Sequence, residues 1–88
     1  DVLFFRSDEK YTRVQARDQE GFIRTPIREL LPQLDPQQFC QVHRSAVVNL
    51  SAVDHVTRDD AGRQRVHIRD FPEVLEVSRS YAHLFRSS

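Results

Sequence analysis

Apolar positions along this chain recur mostly at the two-residue period of strands. Val2-Leu3-Phe4-Phe5, bounded by Arg6-Ser7-Asp8, is short and β-prone and reads as a buried strand. From Tyr11 to Arg17 the alternation is regular, with Tyr11, Arg13, Gln15 and Arg17 on one face and Thr12, Val14 and Ala16 on the other. Asp18-Gln19-Glu20-Gly21 has turn chemistry, and Phe22-Ile23-Arg24 reads as the returning strand of a hairpin. The period then changes. Thr25 before Pro26 has the arrangement of an N-cap and a first helical residue, and Ile27, Leu30, Leu31 and Leu34 follow at helical spacing. A short amphipathic helix over residues 26–34 is expected, broken near Leu31 by Pro32 and closed by Asp35-Pro36.

From Phe39 the strand period returns, Phe39, Gln41 and His43 alternating with Cys40, Val42 and Arg44. Ser45 separates this segment from Ala46-Val47-Val48, and Asn49 to Ala52 suits a turn or a single helical turn. Val53 to Arg58 and Arg63 to Arg69 read as strands joined at the hairpin signal Asp59-Asp60-Ala61-Gly62. After a turn at Asp70-Phe71-Pro72-Glu73, Val74 to Val77 gives a last strand, and the tail from Ser78 to Phe85 places Tyr81, Leu84 and Phe85 on one helical face behind a Ser N-cap. Hairpin connections select antiparallel pairing. The expected fold is therefore mainly β, an antiparallel stacked-sheet sandwich or open barrel with one short central helix and a short C-terminal helix.

A chain of 88 residues supports one domain with one modest core. With 39% apolar and 30% charged residues it lies in the globular range. The longest apolar runs, Val2 to Phe5 and Ala46 to Val48, fall far short of the roughly 18 residues of a membrane span, and the opening lacks the basic and long apolar regions of a signal peptide. No membrane contact by this domain is expected. A single cysteine, Cys40, excludes an internal disulfide framework and a multi-cysteine zinc site, and a reducing, cytoplasmic setting fits best.

Thirteen Lys plus Arg balance thirteen Asp plus Glu, and this zero average argues against a polyanion-binding surface. Twelve of the thirteen cations are Arg, with Lys10 the exception, a bias that suits bidentate pairing with phosphate or guanine but is also produced by a GC-rich genome. The acids, however, are unevenly spread. None occurs between Asp35 and Asp54, a window holding Gln41, His43, Arg44, Ser45 and Asn49, nor after Glu76, where Ser78, Arg79, Ser80, Tyr81, His83 and Arg86 lie. Arg beside Ser can place guanidinium and hydroxyl donors on phosphates and base edges. Each window also reads as a polar bend whose Ser caps backbone groups.

Catalysis finds little to work with. His43 lies three residues from Cys40, and on a regular strand the two point to opposite faces. The histidines His43, His55, His67 and His83 show no paired metal-ligand spacing, and the glycines, Gly21 and Gly62, both sit in turns rather than in a phosphate loop. No enzymatic role, metal site or cofactor is expected.

The segment from Phe39 to Leu50, Phe-Cys-Gln-Val-His-Arg-Ser-Ala-Val-Val-Asn-Leu, resembles the F-x-x-[IV]-H-R-S-x-[IV]-V-N core of the LytTR DNA-binding domain, found at the C-terminus of many bacterial response regulators. Three further blocks agree in order: Asp1 to Phe5 with the D-I-x-Y-[FI] strand, Ile27 to Leu34 with the short helix, and Val77-Ser78-Arg79-Ser80-Tyr81 with V-S-R-x-[YF]. The resemblance covers nearly the whole chain, here without the one or two strands that commonly precede the first block. It implies an elongated stack of sheets that binds double-stranded DNA in a sequence-specific way through loops, as the output domain of a two-component transcriptional regulator. An upstream receiver or sensor domain and two copies on paired direct repeats are implied as well.

By position the implied DNA contacts fall on Lys10, Tyr11 and Thr12, on His43, Arg44 and Ser45 with Asn49 nearby, and on Ser78, Arg79 and Ser80. Arg44 and Arg79 suit the major groove, and Lys10, Arg13, Ser45 and Ser78 suit phosphates. Two roles stay open for His43, bracing the loop or touching DNA, and two for Asn49, closing the turn or touching DNA. Thr12 is a short side chain for base contact. The rival reading is a β-rich protein-interaction module that pairs an exposed sheet edge with a partner strand.

Overall fold

The structure, a computed structural model, describes residues 2–85. Asp1 of the first motif block and Arg86, with the two serines after it, lie outside the described residues. The alternating segments become eight strands: β1 (Val2–Asp8), β2 (Tyr11–Ala16), β3 (Glu20–Ile23), β4 (Phe39–His43), β5 (Ala46–Asn49), β6 (Val53–Arg58), β7 (Gln64–Ile68) and β8 (Val74–Val77). A helix α1 (Ile27–Leu30) precedes β4, and 3₁₀ segments span Leu31–Gln33, Leu50–Ala52 and Arg79–Phe85. All pairings are antiparallel, in a five-stranded sheet of order β3-β2-β1-β5-β4 and a three-stranded sheet β6-β7-β8. This is the mainly β stacked-sheet architecture that the alternation predicts, and none of the described helices is long and apolar enough to cross a membrane.

The central strands lack a polar face because both of their faces are covered. Phe4 pairs with Val48 and faces the small sheet, where Val42, Val66, Ile68 and Leu75 complete the main core. Phe5 pairs with Val47 and faces α1, where Ile27 closes a second cluster. A register shift between Val2 and Phe4 lets the adjacent residues Leu3 and Phe4 enter the same core. Phe71 meets the Phe4 ring edge-on at 6.0 Å, which seals the cluster below the β7–β8 connection.

The polar face of β2 is a seam rather than a solvent face. Arg13 lies over the Phe4 ring and pairs with Glu73, Arg17 donates to the Arg69 carbonyl at 2.7 Å, and Arg6 meets Glu73 at 2.7 Å. Three strands cannot cover five, so long Arg side chains bridge from the large sheet to the connection between β7 and β8.

The helix begins one residue later than expected. Pro26 occupies the N-cap position and its carbonyl accepts from the Glu29 and Leu30 amides, while the Thr25 carbonyl is taken by the Thr12 hydroxyl. Pro32 has the expected effect, and the α-helix gives way to 3₁₀ geometry at Leu31–Gln33. The C-terminal segment is 3₁₀ rather than α, with Tyr81 and Phe85 packed on the core and Leu84 exposed.

Candidate nucleic-acid interface

Two features of β4 shape the turn that comes after it. The register slips between Gln41, opposite Val47, and His43, opposite Ala46, so Val42 is an extra residue in the ladder. The slip places Cys40 and His43, opposite Val48 and Ala46, on the same face of the sheet, correcting the divergence expected of a regular strand. They still do not form a dyad. The Cys40 thiol donates weakly to the Gln41 carbonyl and is pushed up in pKa by burial, whereas His43 Nδ1 is held by Ser45.

That contact braces the turn. Nδ1 of His43 accepts from the Ser45 backbone N–H at 3.2 Å, with the Ser45 hydroxyl at 2.8 Å. An amide can only donate, so Nδ1 is unprotonated and the proton of the neutral ring lies on Nε2. His43 thus orders the turn that projects Arg44, and keeps one donor nitrogen in reserve. The Ser45 carbonyl accepts from the Ser7 amide at 2.8 Å, which ties the same turn to β1.

The second acid-free window arrives beside the first. Ser78 N–H donates to the Val42 carbonyl at 2.8 Å, which anchors the end of β8 to the irregular residue of β4. Arg79 and Ser80 come immediately after and are exposed, as is Arg44, while Ser45 and Ser78 are half-buried. The Gln64 amide, oriented so that both its ends are satisfied, donates to the Ala82 carbonyl at 3.1 Å and accepts from Arg58 at 3.2 Å, holding the 3₁₀ segment against β7. The exposed Lys10 sits at the tip of the β1–β2 hairpin. Because Ser7 lies level with Ser45 and β1 runs on past it, the tip stands roughly 7 Å beyond the β4–β5 turn at the same end of the sheet. Lys10, Arg44, Ser45, Ser78, Arg79 and Ser80 therefore share one end of the molecule.

Other expected contacts turn inward. Thr12 is 1% exposed and donates its hydroxyl to the Thr25 carbonyl at 2.7 Å, so its place among the DNA contacts is corrected to a structural one. Of the two roles left open for Asn49, the structure shows the one that closes the turn. Asn49 is 8% exposed, donates to the Val2 carbonyl at 2.8 Å and accepts from the Ser51 amide at 3.0 Å as N-cap of a 3₁₀ segment. Arg13 stays partly accessible, but its guanidinium lies between Glu73 and Glu20. Tyr11 is 42% exposed and packs edge-on against the exposed Phe22 ring at 6.5 Å, beside Lys10.

Behind Arg79 the end of β8 and the β6–β7 turn, joined by the pairing of Gln64 with Val77, line an open concavity of about 500 Å³ together with His43, with Arg63, Glu76, Ser78 and Arg79 among its wall residues. Nothing in the sequence singles out Arg63, because its own neighbourhood reads as an ordinary hairpin. Within that turn the Arg63 backbone N–H holds the Asp59 carboxyl below the usual carboxylate range, with help from the Ala61 N–H and Arg65 against an upward push from desolvation. No group of three or more metal-ligating side chains is present among the described residues.

Comparison with known proteins identifies the family and the fold. The sequence profile described as the LytTr DNA-binding domain matches residues 1–88. The chain is similar to an uncharacterised response regulatory protein of Vibrio cholerae, with 42% identity over all of the chain and 34% of that protein. It is also similar to the CO-responsive transcriptional regulator RcoM of Rhodospirillum rubrum, with 34% identity over 90% of the chain and 34% of that protein. The chain thus spans about a third of the length of these relatives. Among solved structures, the LytTr DNA-binding domain of a Bacillus cereus protein described as a putative methyl-accepting/DNA response regulator superposes with a TM-score of 0.87 and 27% identity, over 97% of this chain and 77% of that one.

Proposed function

Because the chain belongs to the LytTr DNA-binding domain family, we propose that it reads a specific double-stranded sequence as the output module of a cytoplasmic bacterial transcriptional regulator, without catalytic activity of its own. Arg44 and Arg79 enter the major groove, and Lys10, Ser45, Ser78 and Ser80 bind backbone phosphates that set the register. The observation that carries this reading is the 2.8 Å bond from Ser78 N–H to the Val42 carbonyl, since it joins the two acid-free windows into one surface. Chemistry of another kind has poor support: burial pushes the Cys40 thiol up in pKa, away from a reactive thiolate, and His43 is engaged by Ser45.

Thirteen acids offset the thirteen cations of the domain and limit its affinity as a single copy, so useful occupancy requires a second copy on a neighbouring direct repeat, delivered by a longer protein whose upstream part receives the signal. In vitro selection from random duplexes tests the reading. The expected result is one enriched motif, recovered as two direct repeats when a dimeric full-length protein is used. Arg79→Ala is expected to erase preference at one base position, worth about 1–3 kcal/mol, whereas Lys10→Ala weakens all duplexes alike. Failure to enrich any motif at low salt would overturn the proposal.

A further inference from the structure

Arg63 lies on the β6–β7 turn, outside both acid-free windows, yet the pairing of Gln64 with Val77 sets it near Arg79 on the lining of one open cleft. Neither guanidinium has a carboxylate partner among the described residues, in contrast to Arg6 and Arg13, which share Glu73, and Arg65, which meets Asp59 at 3.4 Å. His43, whose proton resides on Nε2, also lines this cleft. Donor residues of β4, of the segment after β8 and of the β6–β7 turn thus line one solvent-open space.

The turn that carries Arg63 is built before any ligand arrives. Asp59 Oδ1 accepts from the Ala61 and Arg63 amides, each at 2.9 Å. The Asp59 N–H donates to the Arg63 carbonyl at 3.0 Å, and the Gly62 N–H donates to the Asp59 carbonyl at 2.9 Å. Gly62 adopts φ +84°, a region that side chains beyond glycine rarely enter. Both backbone groups of Arg63 are therefore fixed, and only its side chain has to be ordered on binding.

We infer that the β6–β7 turn forms a further contact to the DNA backbone, in which Arg63 and Arg79 engage the same stretch of strand from one cleft and Arg63 binds a phosphate. This rests on the DNA-binding reading above and extends the interface along the small sheet from the end of β8 to the β6–β7 turn. Asp59 acts as a positioning residue. Glu76, the acidic residue on the same walls, opposes the contact and limits its strength.

Titrations of the whole chain on its selected duplex and on a mixed-sequence duplex, across a range of salt, test the inference. Arg63→Ala is expected to weaken both alike, about fivefold to tenfold at about 0.1 M salt, and to lower the salt slope by about 0.9, the value of one phosphate. Arg63→Lys retains the slope, and the base preference of the selected motif is unchanged in both variants. Glu76→Gln tightens binding about threefold at low salt, a gain that loss of folding would not produce. Unchanged affinity and slope in Arg63→Ala, with Arg79→Ala still defective, overturns the Arg63 contact alone. A wild-type chain that binds no duplex overturns this contact and the proposed function together.

Discussion

His43, Asn49 and Thr12 are polar side chains in or beside the motif blocks, and the fold uses each of them to satisfy backbone. His43 braces Ser45, Asn49 closes the chain onto Val2 and Ser51, and Thr12 caps the Thr25 carbonyl. Asn49→Ala strands a half-buried carbonyl and removes the cap of a 3₁₀ segment, and a loss of about 1 kcal/mol is expected in urea denaturation. The base preference of the protein that remains folded should be unchanged. Arg79→Ala is expected to do the reverse, altering preference with little effect on the denaturation midpoint, because its side chain is exposed. If Asn49→Ala altered base preference at full stability, Asn49 would have to be returned to the contact surface.

Among the strands and turns, the irregular features govern the site. The extra residue at Val42 offers its carbonyl to Ser78, and the hairpin from Asp59 to Arg63 is locked by a single carboxylate. The folded state holds the Asp59 carboxyl below its unfolded range, first through the Arg63 amide. Its stabilisation is therefore complete above the unfolded value of about 3.9, and it is lost as pH falls through the lower folded value. The melting temperature of wild type is expected to exceed that of Asp59→Ala at neutral pH, with the gap narrowing as pH drops below about 4. A gap that stayed constant into acid would show that the carboxylate does not organise the turn. Much at this level was legible in the sequence: Asp59-Asp60-Ala61-Gly62 announced the hairpin, and Pro32 announced the break after α1. The slips at Leu3 and Val42 were not, because a bulge is set by the competing registers of a strand's partner, which alternation in one segment does not contain.

For the domain as a unit, charge distribution matters more than its sum. Glu73 binds Arg6 and Arg13 at the seam between sheets, so those cations hold the two layers together and contribute little free charge. Glu73→Gln is expected to raise DNA affinity and steepen its salt dependence, while the partly exposed network loses about 1 kcal/mol of stability. Both effects are measurable on one preparation, by binding titration and by thermal melting. If about five phosphates are engaged by the wild-type domain, log affinity falls with log salt at a slope of about −4.5. Salt-independent retention would contradict an interface built on phosphates.

The mainly β class, the hairpins, the interrupted helix and the two stretches without acids were all written in the order of the residues. These are local matters of period, turn chemistry and composition, and each is settled within a few positions. Which cations are free and which polar residues face inward was settled by the packing of the folded chain. Arg13 and Arg79 look equally available along the chain, yet one reaches Glu73 across a sheet seam and the other stands exposed beside the β4–β5 turn. Pairing across such distances depends on how two sheets stack. Within the small sheet, the pairing of Gln64 with Val77 brings Arg63, by its neighbours an ordinary hairpin residue, into the cleft beside Arg79.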